Sequence, residues 1–494
     1  MPISTTWKHW TSQLARLAFV PCVLVALFSV SLTSAQESAA KKSSGKQPNV
    51  ILIMADDLGW GDVGFNGNRV IKTPHLDELA AAGMRFERFY SAAPVCSPTR
   101  GSCLTGRHPF RYGIVNANAG HIRKGEVTLA ELLKDHGYTT GHFGKWHLGT
   151  LTKELRESNR GGPKGAAHFA PPSEHGFDAN FSTEAKVPTW DPMLRPLAAK
   201  GNIWWDPVED AADAKPYNTH YWSRGKLVEE NLRGDDSRVI MDRAIPFVRQ
   251  AAKARQPFFA VIWFHTPHLP VVAGPKYTAM YKKHDKHSQH YFGCITAMDE
   301  QIGRLWHELE ELGVRNDTLI TFCSDNGPEG NDSSPGSAGG LRGRKRSLYE
   351  GGVRVPGCIV WPAKIKAGSE TAIPACTSDY LPTVAAIVGA RMDEQRPLDG
   401  VDLLPLLAGE MQQRPRPIGF QSAGQLSLVD NRWKLIRNRG RKRSGDYELY
   451  DLIADRGESN DLAGENQEIV QQMAKTVEAW QKSCQQSATG ADYE

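Results

Sequence analysis

Asp56-Asp57 and Asp325-Asn326 are two adjacent pairs of oxygen-bearing side chains. Carboxylate and amide oxygens suit a hard cation, calcium or magnesium, rather than zinc. Taken alone, the first pair also fits a helix N-cap, and the second, followed by Gly327, fits a turn. Other reactive types stand in short clusters: Lys145-Trp146-His147, His265-Thr266-Pro267-His268-Leu269-Pro270, and Cys96-Ser97-Pro98-Thr99-Arg100. Histidine titrates near neutrality and suits proton transfer, and the always-charged fork of arginine suits an anionic centre better than lysine does. In isolation Cys96 reads equally well as a loop cysteine beside a turn-forming proline.

The elements around these residues alternate. Asn49 to Met54 is a short apolar run, the pattern of a strand buried on both faces, and it ends at the two aspartates. Thr73-Pro74, with Gly83 at the far end, predicts a helix. Thr128 and Glu131 form a capping box that opens another helix, Gly137 closes it, and an extended segment runs from Tyr138 to Lys145. Phe258 to Phe264 is a second buried-strand run, and it delivers His265 and His268. Ile295, Met298, Ile302, Leu305, Leu309 and Leu312 follow helical spacing before a strand, Thr318 to Cys323, that ends at Asp325-Asn326. Open α/β sheets bind ligands beyond the carboxyl ends of their strands, so the four polar clusters are expected to converge. After about residue 400 come short strand-like pieces (Ile418 to Phe420, Trp433 to Ile436, Glu448 to Leu452) and a helix from Gln467 to Lys482. They predict a small antiparallel sheet with a packed helix.

Lys8 and Arg16, the apolar run Leu17 to Leu32 and Thr33-Ser34-Ala35 have the order of a secretory signal peptide, with cleavage expected after Ala35. The run is short for a membrane span, and Cys22 lies inside it rather than at a cleavage site, which disfavours a lipoprotein anchor. The organisation expected is a signal peptide over 1–35, a flexible linker over 36–48, a catalytic domain over 49–400, a C-terminal subdomain over 401–485 and a tail over 486–494. The net charge of +4 is modest for 494 residues, and no basic helix or aromatic platform suggests nucleic acid. Eight cysteines become seven without Cys22, and six if one more is modified, an even number that permits disulfides in an oxidising compartment. The basic run Arg439 to Arg443 reads as a solvated loop.

The window from Pro94 to Gly106 resembles the active-site signature of the type I sulfatases, departing at Cys103, where a larger apolar residue is usual. Gly137 to His147 resembles the second signature of that family, departing at Phe143. Gly339 to Pro356 resembles its late lysine segment, and spacing to Glu350-Gly351-Gly352 selects Lys345. The resemblance runs from about Asn49 to Leu462 and is nearest to arylsulfatases of the A type and N-acetylgalactosamine-6-sulfatases. It implies the α/β fold of alkaline phosphatase, a large mixed sheet sandwiched by helices. It also implies that Cys96 is oxidised to Cα-formylglycine by a formylglycine-generating enzyme, and that Asp56, Asp57, residue 96, Asp325 and Asn326 hold calcium, with magnesium the alternative.

The implied roles follow from the same resemblance. Hydrated formylglycine at 96 attacks sulfur, His268 protonates the departing alcohol, and a covalent sulfate intermediate results. His147 takes the proton of the second hydroxyl so that sulfate leaves. Lys145, Lys345 and Arg100 contact the anionic centre, with Arg344 and Arg346 beside Lys345 read as solvated. His265 is the competing candidate for His268. The substrate implied is a sulfated saccharide or aryl sulfate, and Trp190, Trp204, Trp205 and Trp222 are candidate sugar platforms more readily explained as structural. The location implied is secreted, periplasmic or otherwise extracytoplasmic, lysosomal in a eukaryote, with no stable membrane insertion. Two alternatives stand: a phosphomonoester or phosphonate hydrolase on the same fold, and a silent protein that binds sulfated glycans.

Overall fold

Strand alternation sorts the core into two layers. In β1, Asn49–Ala55, Ile51 and Ile53 face one apolar layer, while Val50, Leu52 and Met54 face the other. Every residue of the strand is buried, as a strand with helices on both sides requires. The computed structural model describes residues 47–157, 160–197, 214–391, 396–438 and 447–493. The signal segment, nearly all of the linker, Trp204, Trp205 and the run 439–443 lie outside the described residues.

The main sheet has ten strands. In chain order they are β1; β2, Met84–Phe86; β3, Thr139–Lys145; β4, Ala179–Thr183; β5, Trp222–Ser223; β6, Lys226–Leu227; β7, Phe258–Trp263; β8, Thr318–Ser324; β9, Gly357–Val360; and β10, Ser369–Thr371. Across the sheet the order is β10-β2-β9-β8-β1-β7-β3-β4-β5-β6. The five central strands, β8 to β4, run parallel, and antiparallel strands flank them. One face is covered by α1, Pro74–Ala81, by α4, Asp236–Lys253, and by α5, Lys286–Glu311. The other is covered by α2, Cys96–Thr105, and α3, Leu129–Asp135.

The capping box at Thr128 and Glu131 is formed. Gly83 acts differently from a helix-capping glycine: a Cβ there would stand 2.4 Å from the carbonyl oxygen of Ile359, so close approach to β9 accounts for it. Among the helices that add to those expected from the sequence pattern are α2 and α4. α4 has the apolar spacing of Val239, Ile240, Ala244, Val248 and Ala251, and α2 has no such stripe.

The C-terminal sheet is separate and antiparallel: β11, Ile418–Ser422; β12, Gln425–Val429; β13, Trp433–Arg437; and β14, Glu448–Asp451. Its helix, α6, spans Gln467–Ala488 and so continues beyond Lys482. The last residues are held rather than trailing, because Asp492 pairs with Arg107 and the Tyr493 hydroxyl donates to Glu126. The seven described cysteines are all free and buried, so the even count does not become a set of bridges. No helix among the described residues is long and apolar enough to cross a membrane.

Candidate active site

Register places the chemistry. Ala55 pairs with Ser324, Met54 with Trp263, and Trp263 with Gly144, so β1, β8, β7 and β3 end nearly level. The residues that follow, Asp56-Asp57, Asp325-Asn326, His265 to His268 and Lys145 to His147, therefore meet along one sheet edge. Asp57 takes a left-handed backbone, φ 66°, and its N–H donates to Asp325 Oδ1 at 3.1 Å. Cys96 enters the same place as the first residue of α2, and all ten residues of that helix are buried.

The charged groups interlock. Arg100 Nη2 contacts Asp325 Oδ2 at 2.7 Å and Asp56 Oδ2 at 3.5 Å, while its Nη1 donates to the Lys145 carbonyl. Lys145 Nζ donates to Asp56 at 2.6 Å, and Lys345 Nζ donates to Asp57 at 2.7 Å. Asn326 Nδ2 donates to Asp57 Oδ1 at 2.7 Å. Three carboxyl groups and three basic side chains thus meet in a buried space. Removing one partner from such a set strands a desolvated charge, at a cost of about 3–5 kcal/mol.

Two buried oxygens of this cluster, Asp56 Oδ1 and Asn326 Oδ1, have no hydrogen-bond partner. Buried acceptors left unmatched are costly, and both belong to the oxygen set selected above for a hard cation. Donor atoms of Asp56, Cys96 and Asp325 lie within 4.8 Å of one another, as do those of Asp56, Asp57 and His268. The residues present therefore fit a divalent cation. Burial pushes Asp56 up, but Lys145 and Arg100 outweigh it and hold the carboxyl well below its ordinary range. Burial, with Asp56 beside it, pushes Asp325 up to about 7. Burial also raises the Cys96 thiol, so an unmodified cysteine here is a poor nucleophile.

The two histidines of the Pro-flanked loop separate clearly. His265 is fully buried, with Nδ1 on Asp236 at 2.8 Å and Nε2 on Thr183 at 2.7 Å, which makes it a structural clamp. His268 donates from Nδ1 to the Leu269 carbonyl at 2.7 Å and turns Nε2 toward Asp57 at 3.6 Å. Burial depresses it to about 3, so it is neutral here and gains a proton only when an anion joins it. His147 follows Lys145 out of β3. Its backbone is left-handed, φ 58°, its N–H donates to the Glu184 carbonyl at 3.0 Å, and its Nε2 donates to Asn118 Oδ1 at 2.7 Å.

Residues without a sequence signal border the cluster. Asn118 comes from the loop after Tyr112. Lys186 lies two residues beyond Glu184, and burial together with Lys145 and Lys345 lowers its pKa. Glu329 pairs with Arg346 and lies 3.4 Å from Lys345. Burial would raise its carboxyl, but Arg346 and Lys345 hold it down to about 2. Arg344 departs from the solvated reading, because it donates to the carbonyls of Glu329 and Gly336, whereas Arg346 is exposed. Trp222 is buried with its N–H on Glu157, and Trp190 packs against Gly274, so neither is an open sugar platform. A cavity of about 400 Å³ lies elsewhere, between His108, Arg111, Asp399 and Trp480, and contains none of these residues.

Known proteins resemble this chain. A family model described as Sulfatase matches residues 48–390, and one described as N-sulphoglucosamine sulphohydrolase, C-terminal, matches 343–483. Steryl-sulfatase of Rattus norvegicus is 33% identical over 425 residues, covering 74% of this chain and 71% of that protein. Arylsulfatase A of Homo sapiens is 35% identical over 384 residues, covering 75% and 70%. The crystal structure of Ps i-CgsB in complex with k-i-k-neocarrahexaose superposes with a TM-score of 0.76 at 29% identity, covering 90% of this chain and 94% of that one.

Proposed function

This chain belongs to the sulfatase family of sulfuric ester hydrolases, and on that premise we propose that it cleaves a sulfate monoester of a saccharide through formylglycine at position 96. The observation that carries the reading is the meeting of residue 96 with Asp56 and Asp325, donor atoms within 4.8 Å, beside two orphaned buried oxygens. Asp56, Asp57, Asp325 and Asn326 are assigned to the metal, calcium before magnesium, with residue 96 completing the set. A divalent cation there would offset the repulsion between an anionic ester and an anionic attacking oxygen.

The chain's own groups do the rest. Position 96 opens α2, where the partial positive charge of the helix N-terminus favours an oxyanion. Arg100 fixes Asp56 and Asp325. Lys145 and Lys345 pair with Asp56 and Asp57 in the resting site, and both stand ready to turn toward sulfate oxygens once the carboxylates bind a cation. His268, whose Nε2 stands 3.6 Å from Asp57, protonates the leaving alcohol in this reading, and the negative charge of bound substrate counters the burial that keeps the ring neutral. His147 accepts the proton that releases sulfate. We assign the chain to an extracytoplasmic compartment, with Cys96 oxidised by the maturation enzyme before folding.

Mass spectrometry of the tryptic peptide Phe89 to Arg100, from protein made in a host with the formylglycine-generating system, tests the chemistry. An aldehyde at 96, with turnover of aryl sulfate above aryl phosphate, is the expected result. A thiol at 96 in inactive protein would favour the silent glycan binder. Preference for aryl phosphate would favour the phosphate or phosphonate hydrolase.

A further inference from the structure

An amide oxygen can only accept a hydrogen bond, so the 2.7 Å contact between Asn118 Oδ1 and His147 Nε2 specifies which ring nitrogen carries hydrogen. Nε2 is the donor, and the neutral ring then keeps its lone pair on Nδ1. The ring is also fixed from behind: the His147 N–H is held by the Glu184 carbonyl at 3.0 Å, and the preceding Trp146 N–H by the Thr183 carbonyl at 2.9 Å. Asn118 has a left-handed backbone, φ 60°, a conformation that asparagine adopts more readily than most residues. The loop that presents it returns to the same strand exit, where the Ile122 N–H donates to the Leu148 carbonyl at 2.8 Å.

We propose that Asn118 is a positioning residue for sulfate release: it holds His147 in the tautomer whose Nδ1 accepts the proton. The inference rests on the proposed role of His147 as the releasing base. In the balanced step, the second hydroxyl on residue 96 gives its proton to Nδ1 of His147. The electrons of that O–H bond form the carbonyl, and the bond between the residue 96 carbon and the sulfate oxygen breaks, so that sulfate leaves with the bonding pair. A ring with hydrogen on Nδ1 has no lone pair there to accept the proton, so the wrong tautomer is inactive even when the ring is well placed. The arrangement has the logic of other histidine bases that are oriented by a third group.

Two substitutions separate this role from the turn. Asn118→Gly keeps the left-handed backbone and removes only the amide. Asn118→Asp keeps an acceptor and adds charge. The first readout needs no turnover: nitrogen chemical shifts of ¹⁵N-histidine-labelled protein, with the His147 signal assigned by its loss in His147→Gln. The expected result is hydrogen on Nε2 in the wild type and a gain of the Nδ1-protonated form in Asn118→Gly. Turnover of 4-nitrophenyl sulfate is expected to fall roughly 10- to 100-fold in kcat for Asn118→Gly with KM little changed, the scale of losing a histidine's orienting partner. A sulfate-bearing residue 96 peptide should accumulate in that variant. In Asn118→Asp the carboxylate favours the imidazolium, so the acid limb of the kcat profile should move up by about one pH unit or more.

Hydrogen on Nδ1 in the wild type, or an unchanged tautomer and kcat in Asn118→Gly, would overturn the proposal. Failure of the underlying reading looks different. If His147→Ala accumulates no sulfate on residue 96, His147 is not the releasing base, and the role of Asn118 falls with it even when the tautomer is as stated.

Discussion

Asp56 and Asp325 are buried around one guanidinium, and their carboxyls respond in opposite directions. Asp56 is held ionised by Lys145 and Arg100 against its burial, whereas Asp325 is raised to about 7 by burial and by Asp56 itself. A divalent cation must therefore compete with a proton at Asp325. Calcium affinity measured by calorimetry should weaken as pH falls below about 7, by at most about tenfold per unit for one displaced proton. Asp325→Asn should bind calcium at least tenfold more weakly at pH 8 and lose that pH dependence. A wild-type affinity that stays flat from pH 8 to 6 would refute the competition. The ligand types were legible in the sequence because oxygen donors come as Asp-Asp and Asp-Asn at strand exits. Asn118 and Lys186 were not legible: each reaches the site through loop backbone geometry, and neither belongs to a motif.

At the scale of the element, the site depends on how closely β3 lies against β7. Gly144 is left-handed, φ 104°, and a Cβ there would stand 1.9 Å from the Trp263 carbonyl oxygen, so only glycine fits. Gly144→Ala must push the two strands apart just before Lys145. We expect a loss of at least about 2 kcal/mol of stability, seen as a lower Tm, together with a large fall in kcat. A variant that melts and turns over like the wild type would show that the strands tolerate the separation. The central strands were readable because a short unbroken apolar run between polar turns is stable only when covered on both faces. α2 was not readable as a helix: Cys96-Ser97-Pro98-Thr99-Arg100-Gly101-Ser102 has no apolar stripe, and its only signals are Pro98 in the first turn and the left-handed Gly106 at its end. β12 was not readable either, since five residues with two leucines and a valine fall below a recognisable strand pattern. α4, by contrast, had the spacing to be found.

At the scale of the whole molecule, the C-terminal sheet is fastened at a second buried charge cluster. Lys434, on β13 of the C-terminal sheet, contacts both Glu350 and Glu458 at 2.9 Å, and the Glu350 N–H donates to Glu458 at 2.6 Å. Tyr90 and Arg354 add contacts to Glu350, all within the buried interior. Glu350 lies five residues beyond Lys345, so the clasp that holds the small sheet also anchors the late lysine segment. Two carboxylates share one ammonium at its centre. Burial, with Glu350 beside it, raises Glu458 to about 7 despite Lys434, while Lys434 and Arg354 hold Glu350 below its ordinary range against burial. Since the folded protein keeps the Glu458 proton to higher pH than the unfolded chain, its stabilising contribution is complete below about pH 4.5 and disappears as pH rises through 7. Glu458→Gln mimics the protonated form and removes that dependence. Its Tm should therefore gain on the wild type between pH 5 and pH 8, by an amount corresponding to at most about 3 kcal/mol. Scanning calorimetry of both proteins at the two pH values decides it. A variant that instead falls further behind at pH 8 would mean that Glu458 is ionised in the fold and that its bond to Lys434 outweighs the burial.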